Sequence, residues 1–309
     1  MPAILTHHLF GEDASALLPE DILTSQEELL AFLMGSQGPD LLCARFSTLP
    51  SKARRCHALA RCIHEREVVA FLFSLRSSVG CLPHKDAGLG RAFVLGMAAH
   101  YLLDSVVHPL ILAQIRELQS ADSTLQDAAR ELHALIEADI DSWLLWQKRH
   151  ITILDIPTSL LLNSTPRIDQ VTGQLMSMAA RDVFGLDVDQ CEFGCAARDY
   201  LRIYRLIDPP ATRIPNTLKR LELLYRSVSR IDAQRHPIIA SDDCPAANLT
   251  HRPWHDPATG ARSIASFADL FHDALLAWPA FAGRIIEGDR ARTEAMVDGL
   301  NYYGMPCAE

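Results

Sequence analysis

Apolar residues return every three or four positions along almost the whole chain, and no stretch alternates strictly between apolar and polar, so the pattern predicts an all-α protein. A first short helix is expected to begin near Asp13 or Ser15. A second starts at Ser25, whose hydroxyl is placed to cap it with Glu28 as capping-box partner; Gly35 and the Gly38-Pro39 pair end it. One long helix is expected from Ser51 to about Leu75, with Leu59, Ile63 and Phe71 among its apolar positions. The stretch from Gly80 to Gly90, with Pro83 inside it, reads as a loop. Two further helices follow, from about Ala92 to Gln119 and from Ser123 to Gln147, with Asp122, Ser123 or Thr124 as the cap between them. Pro109 falls inside the first, where its missing backbone donor and its ring predict a kink or break. Beyond Pro157 the periodicity predicts helices near 167–181, 193–206, 214–230 and 266–300. Between the last two, the polar stretch from Pro237 to Arg262 is long enough to predict a functional loop. The expected organisation is a helical core over 1–150 and a helical extension over 151–309, packed on it as one domain.

Composition narrows the class. The chain has 309 residues and 49% hydrophobic content, ample material for a core, which excludes general disorder. A net charge of −9 argues against binding duplex nucleic acid by phosphate neutralisation, so no stable nucleic-acid partner is expected. The residues after Met1 carry neither a basic region nor an apolar run of signal-peptide length before Glu12 and Asp13, so the expected location is cytoplasmic. The longest apolar run, Ala92 to Leu103, contains His100 and is followed at once by Asp104; it is too short and too polar to predict a transmembrane segment. No basic amphipathic helix of interfacial type stands out. The eight cysteines include no C-x-x-C pair and are expected to be reduced and mostly buried. Oligomeric state leaves no mark on the sequence.

The chemistry concentrates in the first half. His100, Asp104 and His108 follow one another at steps of four residues, which places all three on one face of a helix. Taken alone, such a trio is as much a buried structural His–Asp arrangement as a ligand set. Its apolar neighbours, Val94, Leu95, Met97, Leu102, Leu103, Val106, Val107 and Leu110, make a polar face there costly unless ions or hydrogen bonds satisfy it. His133 and Glu137 repeat the spacing on the next predicted helix, and paired helices carrying such ligands inward are how metal sites are built in bundles. Upstream, His7 and His8 ahead of the first predicted helix, Asp40 in its tight turn, and His57 and His64 add further suppliers, with His8 and His57 read as neighbours rather than ligands. Imidazole and carboxylate without thiolate suit zinc in a hydrolytic role.

In this order Thr6-His7-His8-Leu9-Phe10-Gly11, Gly35-Ser36-Gln37-Gly38-Pro39-Asp40, Ile63-His64-Glu65, His100-x-x-x-Asp104-x-x-x-His108-Pro109 and His133-x-x-x-Glu137 resemble the zinc-dependent phospholipase C family of bacteria, over roughly residues 1–146. The segments from Asn248 through His251 to Trp254 and from Ser266 to Phe271 are similar to a stretch in its intracellular members. The resemblance implies an all-α multi-helix bundle, of the type shared with single-strand zinc nucleases, holding two or three Zn2+ ions. Asp40, His64, His100 and Asp104 would hold one ion, His108, His133 and Glu137 a second, and His7 with the bridging Asp104 a third. This chain departs from the secreted members in two ways. It starts at Met1 where they use a processed N-terminal residue as a ligand of the third zinc, and its interval from Asp104 to His108 is shorter. An aromatic cage for a choline headgroup cannot be located by spacing.

The expected activity is hydrolysis of a phosphoester, a phospholipid or a soluble phosphodiester, by a zinc-bound hydroxide, with Asp40 as candidate general base and Glu137 as the second choice. Asn248, His251 and Trp254 are expected either as a lid over the metal or as a loop anchor. Two other readings stand beside it: a single-strand-type zinc nuclease, which needs aromatic platforms that a 7% aromatic content does not advertise, and a non-catalytic helical binding module stabilised by zinc.

Overall fold

The structure is a computed structural model that describes residues 3–308 except residue 212, and the side chains of residues 213 and 214 are also outside the description. It is 66% helical. In chain order the described helices are α1 (Ile4–Ala16), α2 (Gln26–Gly35), the single turn α3 (Asp40–Cys43), α4 (Pro50–Glu65), α5 (Val68–Ser78), the long α6 (Ala87–Ala121), α7 (Ala129–Arg149), α8 (Pro166–Phe184), α9 (Glu192–Ile207), α10 (Arg213–Glu222), α11 (Arg230–Ala233), α12 (Phe267–Glu287) and α13 (Arg290–Val297). The two described strands, β1 (Trp254–His255) and β2 (Arg262–Ser263), pair antiparallel within the polar loop.

The chain forms two compact units that interleave in sequence: residues 1–9, 107–161 and 201–271 make one, and 10–106, 162–200 and 272–309 the other. Four of the five divisions fall inside continuous helices, α1, α6, α9 and α12. In the second unit α5 packs on α8, and the core holds edge-on aromatic pairs, Phe93 with Phe193 at 5.4 Å and Phe32 with Trp278 at 6.1 Å between ring centroids. There α2 and α6 meet backbone to backbone at Gly35 and Gly96, where any Cβ would strike the facing main chain. In the first unit α11 packs on α7, and Trp143 meets Phe267 edge-on at 6.5 Å.

Several boundaries differ from expectation, each for a physical reason. Asp13 and Ser15 lie in the last part of α1, not at a helix start, and His7 and His8 lie within that helix. Its first turn is capped from a distance: the Asp141 carboxylate accepts the amides of Leu5 (2.9 Å) and Thr6 (2.8 Å), a cap invisible to local pattern. The expected helix from 51 to 75 is two helices, because Glu67 takes φ +57° between them. Residues 266–300 also divide, at Gly288 with φ +77°, after which Asp289 caps α13. The 214–230 helix stops at Glu222 and restarts behind the Ser229 cap. Pro109 does not end its helix; α6 runs through it. Within 80–90 the expected loop yields to short 3-10 turns, and α6 begins at Ala87.

One described helix, His84–Ala121, is long and apolar enough to cross a membrane by composition, but 89% of its apolar window is buried within the protein and it carries His100, Asp104 and His108. Burial to that extent is what a core helix shows.

Candidate metal centre

The second unit gathers Asp40, His64 and His100. Each offers one ligand atom, and these atoms lie within 4.8 Å of one another. Asp40 opens the turn α3, His64 sits in the last turn of α4, and His100 projects from the middle of α6. His64 Nε2 is 3.1 Å from Asp40 Oδ1, and His100 Nε2 is 3.1 Å from Asp104 Oδ2 one turn along. Both imidazoles are anchored on the other nitrogen: His64 Nδ1 lies 2.7 Å from the Ala60 carbonyl and His100 Nδ1 3.0 Å from the Ser36 carbonyl. A carbonyl only accepts, so each Nδ1 carries the proton and each Nε2 is turned toward the carboxylates. The Gly35–Gly96 crossing is what brings Ser36 within reach of His100.

The turn before Asp40 is shaped around the same ring. Gly38 has φ +58°, and a Cβ placed there would fall well inside 3.0 Å of the His100 imidazole, so only glycine fits. Beyond α3 the backbone is fixed by a buried ion cluster. Arg45 bonds Glu192 at 2.6 Å and Asp199 at 2.5 Å, and Asp199 accepts the amides of Phe46 (3.1 Å) and Ser47 (2.9 Å). Burial pushes the Asp199 pKa up, but its bonds to Ser47 and Arg45 outweigh that and hold it down to about 2. His57 belongs to this support, its Nε2 3.1 Å from the Arg45 carbonyl.

The first unit gathers His108, His133 and Glu137, again with ligand atoms within 4.8 Å. Glu137 Oε1 sits 2.9 Å from His133 Nε2 and 3.6 Å from His108 Nε2, and the two rings lie 5.1 Å apart. The His133 side chain, 19% exposed, and that of Asp40, 14% exposed, are the most solvent-accessible members of their clusters. Burial works against ionised carboxylates at both places, yet both carboxyls lie below the usual carboxylate range, with His64 among the groups that favour the ionised form of Asp40 and His133 and His108 among those that favour that of Glu137. His100 moves the other way, burial opposing and Asp104 favouring its charged form, with the net shift upward.

His7 and His8 are buried in the first unit, in α1, whereas Asp104 and His100 belong to the second. Met1 lies outside the described residues. Asn248, His251 and Trp254 anchor their own loop in the first unit: Asn248 Nδ2 donates to the carbonyls of Arg252 (3.0 Å) and Ala265 (3.2 Å), Trp254 Nε1 to that of Ala265 (3.0 Å), and His251 Nδ1 lies 3.0 Å from that of Ile264.

Two residues near the second unit's cluster carry no sequence signal. Tyr302 is fully buried with its ring 5.2 Å from His64 and 5.7 Å from His100, and Tyr303 stacks on His64 at 5.8 Å. Among the described residues the Tyr302 hydroxyl has no hydrogen-bond partner, and burial, with Asp104, Tyr101 and Asp40 nearby, raises its pKa well above the usual phenol range, so it stays a proton donor. The segment that delivers them docks on the end of α4: the Tyr302 amide donates to the His64 carbonyl (3.1 Å) and the Ala308 amide to that of Glu65 (3.2 Å), satisfying two carbonyls a helix end leaves open.

Both donor sets, imidazole Nε2 and carboxylate oxygen, fit zinc in type, and in the second unit the rings of His64 and His100 are held on backbone carbonyls as zinc-binding histidines commonly are. Comparison with known proteins agrees. The zinc-dependent phospholipase C family description matches residues 6–181, more than half of the chain and a span that includes every predicted ligand. No curated protein and no solved structure gives a match. Fold, donor chemistry and family match point one way, to a zinc phosphoesterase in general terms, and the chain belongs to the zinc-dependent phospholipase C family.

Proposed function

We propose that the protein hydrolyses a phosphodiester, on a phospholipid or a soluble molecule, at a centre of two or three zinc ions. The observation that carries this reading is the pair of three-residue clusters whose ligand atoms converge within 4.8 Å, backed in one of them by Nδ1 anchors on both histidines. Asp40, His64, His100 and Asp104 would hold one ion and His108, His133 and Glu137 another; His7, with Asp104 as bridge, would hold a third, as the family resemblance implies. When bound, zinc supplies Lewis-acid neutralisation of phosphoryl oxygens and activates water for attack at phosphorus.

The residues themselves do the rest. Ser36 and Ala60 fix the ring orientations through their carbonyls, leaving Nε2 of His100 and of His64 as the nitrogens that face the site. Asp40, ionised at neutral pH and partly open to solvent, is the group placed to take the proton of an attacking water, with Glu137 as the second candidate. Tyr302 contributes a neutral hydroxyl on the buried side.

The test is hydrolysis of a chromogenic phosphodiester by the zinc-loaded protein, after chelation, and after zinc is returned. Activity lost and regained supports the reading. Asp40→Asn should lower turnover by about 10²–10⁴-fold while the protein keeps its helical content. A fully loaded protein inert toward phospholipid and soluble phosphodiesters alike would overturn the reading and leave zinc a structural role.

A further inference from the structure

Helix α10 is turned inside out. Its leucines recur at helical spacing and would ordinarily face the core. Instead the polar stripe meets the neighbouring α11 segment: Pro215 is buried, Lys219 Nζ lies 2.5 Å from Asp232 Oδ2, and Glu222 Oε2 accepts from the Ser229 hydroxyl (2.7 Å) and the Ile231 amide (3.2 Å). Leu218 and Leu221 are left exposed, and the turn that follows exposes Leu223, Leu224 (81%) and Tyr225 (72%). An apolar face of this kind, held outward by an ion pair and hydrogen bonds on the opposite side, is a surface built to meet something.

Charge says what. Residues 202–235 hold eight Arg and Lys against three acidic residues, a net of +5 in a chain whose total is −9. Glu131 offsets only part of it, pairing with Arg226 at 3.0 Å and Arg230 at 3.5 Å, while Arg220 is exposed next to Leu221 in the chain and Arg205 is exposed on α9. A second copy of the chain would bring the same positive charge against it, which disfavours self-pairing through this face. A bilayer rich in anionic phospholipid meets both demands: leucines and the tyrosine enter the boundary between headgroups and acyl chains, and the arginines meet phosphate. We infer that the face formed by Leu218, Leu221, Leu224 and Tyr225 with Arg220 docks the protein onto an anionic phospholipid surface. The inference rests on exposure and charge and stands apart from the catalytic reading.

The test is cosedimentation of the full-length protein with vesicles of phosphatidylcholine alone and of equal parts phosphatidylcholine and phosphatidylglycerol, with zinc and with chelator. Binding is expected on the anionic vesicles only, with or without zinc, and weakening as salt is raised. Because it does not require zinc, a failure here and a failure of hydrolysis are separate results. Leu221→Ser together with Leu224→Ser should weaken partitioning about 100-fold, taking about tenfold per leucine, and Arg220→Glu at least about fivefold. All three side chains are exposed, so folding is preserved, with circular dichroism as the check. Equal binding to both vesicle types, no binding to either, or variants that bind like the parent would overturn the inference. So would a concentration-dependent dimer that the leucine substitutions abolish, since the face would then be occupied by a second copy.

Discussion

Gly38→Ala isolates what the turn before Asp40 does for the metal centre. Two costs apply. A side chain at φ +58° carries left-handed strain of about 1–2 kcal/mol, and the new methyl must displace the buried His100 ring, an overpacking cost of about 1–3 kcal/mol. Together they predict a loss of about 2–5 kcal/mol. Gly185→Ala is the matched control: that glycine has φ +64° and nothing within 4 Å of its would-be Cβ, so it bears the strain without the collision. The entropy an alanine removes from the unfolded chain is common to both. Urea denaturation of the metal-free proteins should therefore show Gly38→Ala more destabilised than Gly185→Ala by about 1–3 kcal/mol. Zinc affinity, read by competition with a chelating dye, should fall about 10–100-fold in Gly38→Ala alone, because the ring is pushed off the Ser36 carbonyl that orients it. If the two variants lose equal stability and Gly38→Ala binds zinc like the parent, the close fit of Gly38 to His100 has no part in the site.

Three further outcomes follow from other residues. Arg45→Met should cost about 3–5 kcal/mol in urea denaturation, since it strands Glu192 and Asp199 as buried carboxylates; a loss under about 1 kcal/mol would contradict the buried ion cluster. His236 is fully buried between Asp141 (3.0 Å) and Asp208 (3.0 Å); burial lowers its pKa, but the two carboxylates prevail and raise it to about 10. A folded-state pKa above the ordinary 6.5 means its stabilisation is complete below that pH and is lost as pH rises through about 10, so the parent's denaturation midpoint should fall across this window relative to that of His236→Gln, and parallel profiles would refute the pairing. Tyr302→Phe removes a buried hydroxyl that has no partner among the described residues, so the metal-free protein should gain about 1 kcal/mol while phosphodiester turnover falls; unchanged turnover would show that the hydroxyl serves no step.

What the sequence made legible was whatever is written locally. The Ser25–Glu28 capping box and the helical spacing of His100, Asp104 and His108 and of His133 and Glu137 depend on neighbours within a turn or two, and the structure has the box formed and these residues on α6 and α7. The tight turn at Gly38-Pro39-Asp40 was visible as a turn, though not its fit to a ring some 60 residues away. Long-range chemistry was silent: Asp141 capping α1 across more than 130 residues, Asp199 pinning the backbone after Arg45, and Tyr302 lying on two histidines. The leucines of α10 mark the other limit. Periodicity shows that a helix has an apolar face and says nothing about whether that face turns inward, which here was decided by one ion pair and the Glu222 hydrogen bonds made through its polar side.

The docking of residues 300–308 on the end of α4 also sets an order of events during synthesis. His64 emerges from the ribosome more than two hundred residues before the tyrosine whose amide holds its carbonyl, so until then a candidate ligand sits on a fraying helix end. A nascent chain would hold its candidate ligand His64 loosely until residues 300–308 arrive, and a cut within that segment would loosen a cluster that lies far from it in the gene.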